Sequence, residues 1–504
     1  MDKGTSTSAI SSDEAKDSKP ARSGSHLSAV DRYFHITERG STTVTEIRGG
    51  VVTFFAMAYI ILLNPLILGN IEDVNGNSLG IPQVAAVTAL AAGVMTITFG
   101  LFAKYPFGIA TGLGINTLVA VTFVANEGLA WEEAMGLVVL DGVIIVLLAL
   151  TGFRTAVFHA IPSDMKAAMS VGIGLFIAMI GLVDGGLVRR IPDAAGTTVP
   201  VQLGINGQIA SWPTAVFVLG LIICGIMVVR NIPGGLFIGI VLNTIIALAV
   251  EALTDAGPSF ADGKPVPTGW NLAVPTLPDR VGGMPDLSLV GAVDFFGSFA
   301  RVGALSATML LFTLVLANFF DAMGTMTGLG KQAALVDEDG VLPDMKRALV
   351  VEGTGAIVGG AVSSSSNTVF VDSAAGIADG ARTGLANIVT GILFLAAMFF
   401  TPLYEIVPIE AAAPVLVIVG AMMIGQITEI DFTRFDIALP AFLTIVTMPF
   451  TYSIANGIGI GFITFAAMAI FSGRAKSVHP LMWIVSGLFV IYFAADPFTA
   501  LLGG

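Results

Sequence analysis

Asn318-Phe-Phe-Asp321-Ala-Met-Gly324-Thr325 stands inside one apolar run, and Ser363-Ser-Ser-Ser-Asn367-Thr-Val-Phe-Val-Asp372-Ser-Ala-Ala-Gly376 opens another, with a charged hairpin at 331–347 between them. Both runs read as membrane, yet each holds an aspartate. A carboxylate at the bilayer centre costs roughly 2.5–3.5 kcal/mol on insertion scales, so such groups face a cavity and do work there. Asp321 and Asp372 therefore mark the wall of a cavity, and the rest of the chain reads as its frame.

The composition agrees. Of 504 residues 55% are hydrophobic and only 12% charged, with a mean hydropathy of +0.88. That is too little charge to cover a soluble globule of this size, and it specifies an all-α polytopic membrane protein. The net charge of −13, from 23 basic and 36 acidic residues, belongs to the loops and the N-terminal tail. Nothing resembles a basic nucleic-acid surface, so nucleic acid is not expected as a partner. The single cysteine, Cys224, lies in an apolar run and cannot form a disulfide within the chain. His26, His35, His159 and His479 fall in the tail or loops without ligand spacing, and no Gly-x-x-x-x-Gly-Lys phosphate loop occurs. No metal, cofactor, enzymatic chemistry or ATP-driven step is expected.

Residues 1–32 are polar and read as a disordered tail without a signal peptide. Seven apolar runs, each near the ~20 residues that span a bilayer, lie between residues 49 and 252. A polar connection follows, 254–302, with room for an interfacial helix. Seven more runs lie within 303–473, and a last hydrophobic segment occupies 474–504. Placing the N-terminus in the cytoplasm puts Arg48, Lys104, Arg154, Lys166, Arg230, Lys331, Lys346, Arg347, Arg382, Arg434, Arg474 and Lys476 inside. Arg189, Arg190, Lys264 and Arg280 fall outside, so the asymmetry supports the span count and a plasma (inner) membrane orientation together.

An odd number of spans per half inverts the second half relative to the first. In transporters built this way the site lies near the midplane, on interrupted helices at the repeat interface. The third run of each half carries such an interruption. One reads Pro106-Phe-Gly108-Ile-Ala-Thr111-Gly112-Leu-Gly114-Ile-Asn116-Thr117, and the other is the serine stretch quoted above. Both start with poor helix formers and turn apolar later, and Val369-Phe-Val371 has strand character. Each segment is expected to begin extended and end helical, an arrangement tolerated at membrane depth only beside a cavity or a partner.

These residues resemble a known family. Glu46-Ile-Arg-Gly-Gly-Val-Val-Thr-Phe-Phe-Ala-Met-Ala-Tyr59, Asn64-Pro65, Gly112-Leu-Gly114-Ile-Asn116, Phe320-Asp321-Ala-Met-Gly324-Thr325, Asp337-Glu-Asp-Gly-Val-Leu-Pro343 and Asp372-Ser-Ala-Ala-Gly376 with Arg382-Thr-Gly384 occur in order. They are similar to blocks of the xanthine/uracil and nucleobase-ascorbate transporters, and within these to the azaguanine-resistance (AzgA-like) purine permeases. The resemblance implies a seven-plus-seven inverted-repeat fold with core and gate domains, short antiparallel strands in the third and tenth spans, and proton-coupled import of adenine, guanine, hypoxanthine or xanthine. It places the family's acidic residues of the eighth and tenth spans at Asp321 and Asp372. The family usually carries Glu at Asp372, a second acid at Asn318, a Thr-Ser-Thr stretch at 364–366 and Ala-Pro-Gly-Met-Gly at 110–114. The shorter acid draws the carboxylate back by a methylene, which could admit a larger ring.

A nucleobase is a flat, neutral ring edged with donors and acceptors, and an ionised carboxylate accepts two N–H bonds at once. Asp372 is assigned that role, with Thr111, Gly112, Leu113, Asn367, Thr368 and Phe370 reading the remaining edge and Asn318 and Thr325 flanking Asp321. Phe55 or Tyr59, among Phe54, Phe319 and Phe320, could stack on the ring. Burial and a second carboxylate both favour the protonated form of an acid, which makes Asp321 the candidate for the coupling proton; the two aspartates could also exchange or share these roles. Asp141 has no helix break around it and reads as a packing residue. Asp379 reads as the solvated ion-pair partner of Arg382, and the glycines read chiefly as close-packing positions. An anion exchanger of the same fold, a permease for another heterocycle and a homodimer are the alternatives carried forward.

Overall fold

The computed structural model describes residues 28–151, 161–191, 201–261, 264–271, 273–277, 280–336, 342–404 and 406–494. The expected tail falls almost wholly outside them, as do residues 495–504 and the acidic hairpin tip at 337–341. The first span is the helix pair Thr43–Met57 and Ile60–Leu68, broken at Ala58-Tyr59, where Ile61 N donates to Ala58 O and Leu62 N to Tyr59 O in tighter turns. Thr42, Ser211, Thr383 and Ser453 cap spans through side-chain oxygens that accept backbone N–H groups.

The second, fourth, fifth, sixth and seventh spans are helices Ile81–Phe102, Trp131–Thr151, Ser163–Asp184, Trp212–Val229 and Gly235–Thr254. The eighth, ninth and eleventh are Ala304–Gln332, Met345–Ala361 and Gly384–Ala397, and the twelfth to fourteenth are Ile409–Ile424, Phe435–Phe450 and Ile454–Phe471. Among the described residues eight helical stretches are long and apolar enough to cross a membrane, and five shorter apolar helices accompany them. One of the short ones, Pro480–Phe493, falls below the ~20 residues of a span and packs on the fourteenth span, where Ser486 Oγ donates to Phe462 O at 3.0 Å.

The third and tenth spans differ from the rest. Strand β1, Ile109–Thr111, leads into helix Leu113–Thr117 and a π-helical stretch, Leu118–Asn126. Strand β2, Asn367–Val369, leads through a tight turn, Val371–Ser373, into helix Ala374–Ala378. The two strands pair antiparallel, Ile109 with Val369, Ala110 with Thr368 and Thr111 with Asn367.

Packing obeys the inverted repeat. The second span lies on the eleventh and the fourth on the ninth, contacts that exchange when the halves are swapped, while the fifth lies on the twelfth. All three interfaces are glycine seams. A Cβ on Gly384 would strike the Gly100 carbonyl, one on Gly142 the Gly353 carbonyl, and one on Gly420 the Gly174 carbonyl. Between helices in lipid, close backbone approach supplies the packing energy that the hydrophobic effect supplies in water. Spans one to four and eight to eleven thus form a core, and five to seven and twelve to fourteen form a gate.

At the end of the bundle that holds the described N-terminus, Arg39 Nη1 donates to the carbonyls of Lys104 (2.5 Å) and Arg382 (3.1 Å). Burial pushes the Tyr105 phenol up to about 12, so it remains a neutral donor to the Pro343 carbonyl. Asp379 is paired with Arg48 (Nε to Oδ2, 2.6 Å) and not with Arg382, whose guanidinium donates to the Ile377 and Ala381 carbonyls. The chain turns at Gly380 (φ 108), and Arg382 wraps back to close the end of the tenth span, leaving Asp379 to the first span.

Candidate functional site

The serine run that precedes β2 is neither linker nor surface: Ser363 to Ser366 are 0–1% exposed. Ser363 and Ser365 hold left-handed backbones, φ 60° and 68°, which small polar residues endure only where the surroundings impose it. Glycines at 359 and 360 end the ninth span, and the chain folds straight back through the serines into the strand pair.

The strands are held on all sides. Gly112 N donates to Ser366 O (3.2 Å) and Phe370 N to Gly108 O (2.9 Å), extending the ladder at both ends. Thr96 of the second span accepts from Ile109 N (2.9 Å) and donates to Ile109 O (2.8 Å). Asn387 of the eleventh donates to Phe107 O at 2.6 Å, and Ser373 Oγ accepts from Gly108 N at 2.9 Å. Every strand residue is buried. The crossing is therefore rigid, and what it presents is fixed by its register.

Asp372 follows β2 directly. It is half-buried, and Tyr59, at the break of the first span, donates its hydroxyl to Asp372 Oδ2 at 3.0 Å. The Tyr59 and Phe370 rings lie 6.0 Å apart, so Asp372 is held beside an aromatic pair. Asp321 and Thr325 are half-buried on the eighth span, one turn apart. Thr111 Oγ1 donates to Asn367 Oδ1 (3.3 Å) across the strand pair, and Gly112 approaches so closely that a Cβ there would lie 3.0 Å from Thr368 Cγ2. Leu113 is buried beneath them.

Asn318 is turned away from open space. Wholly buried, it donates to Asp141 Oδ2 (2.8 Å) and Ser366 Oγ (2.8 Å), tying the eighth span to the fourth and to the serine run. Phe55, 44% exposed, has Phe54 and Phe237 of the seventh span as ring neighbours, whereas Tyr59 stands beside the acid. Phe54 packs on Phe394, Phe319 joins the core around Phe99 and Phe107, and the Phe320 side chain lies outside the described residues.

Two groups escaped the reading of the sequence. Glu352, on the ninth span, is fully buried, with Asp141, Asp321 and Thr368 near its carboxyl group. Its signal was an acid inside the apolar run Val350-Val-Glu352-Gly353, but that run has no break to draw the eye. The second is an amide chain. Asn116 Nδ2 donates to Asn64 Oδ1 (2.6 Å), and Asn64 Nδ2 to Thr88 Oγ1 (2.7 Å) and Ser364 O (3.2 Å). It fastens the third span to the first and second and to the serine run.

The family profile of the xanthine/uracil permeases, described as "Permease family", matches residues 45–492. The chain is 37% identical over 465 residues to the guanine/hypoxanthine permease PbuG of Bacillus subtilis, covering 92% of this chain and 98% of the relative. It is 33% identical over 463 residues to the adenine permease AdeP of Escherichia coli, covering 92% and 95%. Among solved structures, the transmembrane domain of a cyanobacterial bicarbonate transporter, BicA, superposes with a TM-score of 0.57 at 16% identity over 82% of this chain and 96% of that one. The murine anion transporter Slc26a9 in its inward-facing state superposes with a TM-score of 0.56 at 12% identity, over 92% and 77%. At such identity the structural likeness speaks to the seven-plus-seven fold alone.

Proposed function

This chain belongs to the xanthine/uracil permease family, and on that premise we propose that it imports purine nucleobases by symport with protons. Its work is transport and not catalysis. The observation that carries the reading is the Tyr59–Asp372 pair at the end of the strand crossing, where a half-buried carboxylate stands beside an aromatic pair. The relatives named for guanine, hypoxanthine and adenine support the same substrate class.

In this mechanism the ring edge donates N–H groups to Asp372, in charge-assisted bonds stronger than neutral ones. Tyr59 fixes the carboxylate plane, and the backbone around Thr111–Leu113 and Asn367–Phe370 meets the remaining edge. Asp321, one turn from Asn318 and close to the buried Glu352, binds the coupling proton. The core, with the strand crossing at its centre, then moves against the gate and exposes the site to each side in turn, within repeats bounded at 33–253 and 303–473. The basic short loops set the N-terminus in the cytoplasm of a plasma-membrane protein.

An anion exchanger is disfavoured, because Asp321 and Asp372 would repel its substrate. The test is uptake of labelled adenine, guanine, hypoxanthine, xanthine and uracil into cells lacking their own permeases, with and without a protonophore. Saturable, protonophore-sensitive uptake of one or two purines is expected, and well-inserted protein that carries none of them would refute the reading.

A further inference from the structure

We infer that the core carries a binding site for an anionic phospholipid at its cytoplasmic end, in a cleft between the second, fourth and ninth spans. The cleft measures about 710 Å³. Its rim is basic: Lys104 follows the second span, and Lys346 and Arg347 begin the ninth. No carboxylate is among the described residues that line it. Asp344 is the acid beside it, and it engages Arg347 at 3.3 Å.

The two lysines are held in place but not used up. Lys104 Nζ lies 4.4 Å from the centre of the Tyr33 ring, and Tyr33 is itself fixed by its hydroxyl on Leu101 O (3.0 Å). Lys346 Nζ donates to Leu150 O at 3.0 Å. An ammonium group has three donors, so each keeps N–H groups for the oxygens of a phosphate.

Below the rim the walls are apolar. Phe102 is 62% exposed and Leu150 51% exposed, at the ends of helices that cross the bilayer, where acyl chains are the natural neighbours. Cations at the depth of the headgroups above apolar walls are the chemistry that basic pockets between spans use for anionic lipid headgroups. The N-terminal segment is a poor occupant by charge. Residues 1–27 hold four acids (Asp2, Asp13, Glu14, Asp17) and four bases (Lys3, Lys16, Lys19, Arg22), a net of zero. In a chain of net charge −13 a wholly basic rim is set apart for an anion.

The test uses the full chain, purified into nanodiscs of phosphatidylcholine with rising phosphatidylglycerol, with bound lipid counted by native mass spectrometry. Wild-type protein is expected to retain phosphatidylglycerol in preference to phosphatidylcholine. The double variant Lys104→Ala, Lys346→Ala should bind it about 30-fold more weakly, at the stabilisation that each juxtamembrane cation typically brings. Leu150→Trp, which fills the cleft and leaves its charge intact, should lose retention as well, while Arg230→Ala, between the sixth and seventh spans, should not. Melting temperatures in pure phosphatidylcholine confirm that each variant is folded. Equal retention of the two lipids by the wild type, unchanged retention in either cleft variant, full displacement by millimolar inorganic phosphate, or closure of the cleft by a second copy would each overturn the proposal.

Discussion

The Tyr59 hydroxyl donates to one carboxyl oxygen of Asp372. Tyr59→Phe keeps the ring and removes the donor. A hydrogen bond to a charged group contributes about 1.5–3 kcal/mol, so the half-saturating purine concentration should rise by roughly 10- to 100-fold in uptake assays, with little change in melting temperature. Asp372→Asn should abolish uptake, since an amide offers one acceptor and two unwanted donors. Glu352 makes a different prediction. It is a second buried ionisable group close to Asp321. Glu352→Gln should therefore insert and fold normally yet displace the pH profile of uptake, and an unchanged profile would remove Glu352 from the coupling step. Outside the membrane, Asp31 is held below the usual carboxylate range chiefly by the Thr37 hydroxyl (2.6 Å) and also by Thr37 N (2.9 Å). A depressed carboxylate stabilises its turn above its unfolded value and ceases to as pH falls through its folded value. Hydrogen exchange at Thr37 N, corrected for the intrinsic rate, should accelerate in that acid window. Asp321 and Asp372 stand out in the sequence because an acid in an apolar run is costly wherever it stands. Glu352 obeys the same rule and was passed over because its helix is unbroken; the Asp379–Arg48 pair was invisible because a loop partner in sequence competes with one 331 residues away.

The strand pair is the element on which the site depends, and its threonine brace is the place to test it. Thr96→Val preserves shape and leaves both Ile109 N and Ile109 O without their side-chain partner. At about 1–3 kcal/mol for each stranded group, the protein should lose roughly 2–6 kcal/mol of stability in denaturant melts, and transport should fall with it. A melt equal to wild type would mean that the crossing is not braced from the second span. The poor helix formers at Pro106–Thr111 and the β-branched residues at Val369–Val371 announced extended segments in both halves. Their pairing was suggested by family resemblance; the register of Ile109 with Val369 could not be read, because it is set by contacts from Thr96, Asn387 and Ser373, all distant in sequence.

Across the whole molecule, the inverted repeat shows itself in seams of glycine that no local rule predicts, since Gly100 finds Gly384 and Gly142 finds Gly353 only after both halves have folded. Counting apolar runs was enough to establish the two halves. The last described helix, Pro480–Phe493, leans on the fourteenth span. The proposed movement of core against gate crosses a contact between the third span and the fifth, where a Cβ on Gly114 would lie 2.7 Å from Ile173 Cγ2. A Gly114→Cys, Ile173→Cys pair in a Cys224→Ser background is within disulfide reach. Oxidation should stop uptake and reduction restore it, whereas undiminished uptake by the cross-linked protein would exclude this movement. The most direct measurement of the central claim is purine accumulation in proteoliposomes under an imposed inward proton gradient, for the wild type and for Asp321→Asn. The wild type should accumulate a purine uphill, with accumulation collapsing with the gradient, and the variant should show only downhill exchange. Gradient-independent transport by the wild type, or unimpaired uphill transport by Asp321→Asn, would contradict that claim.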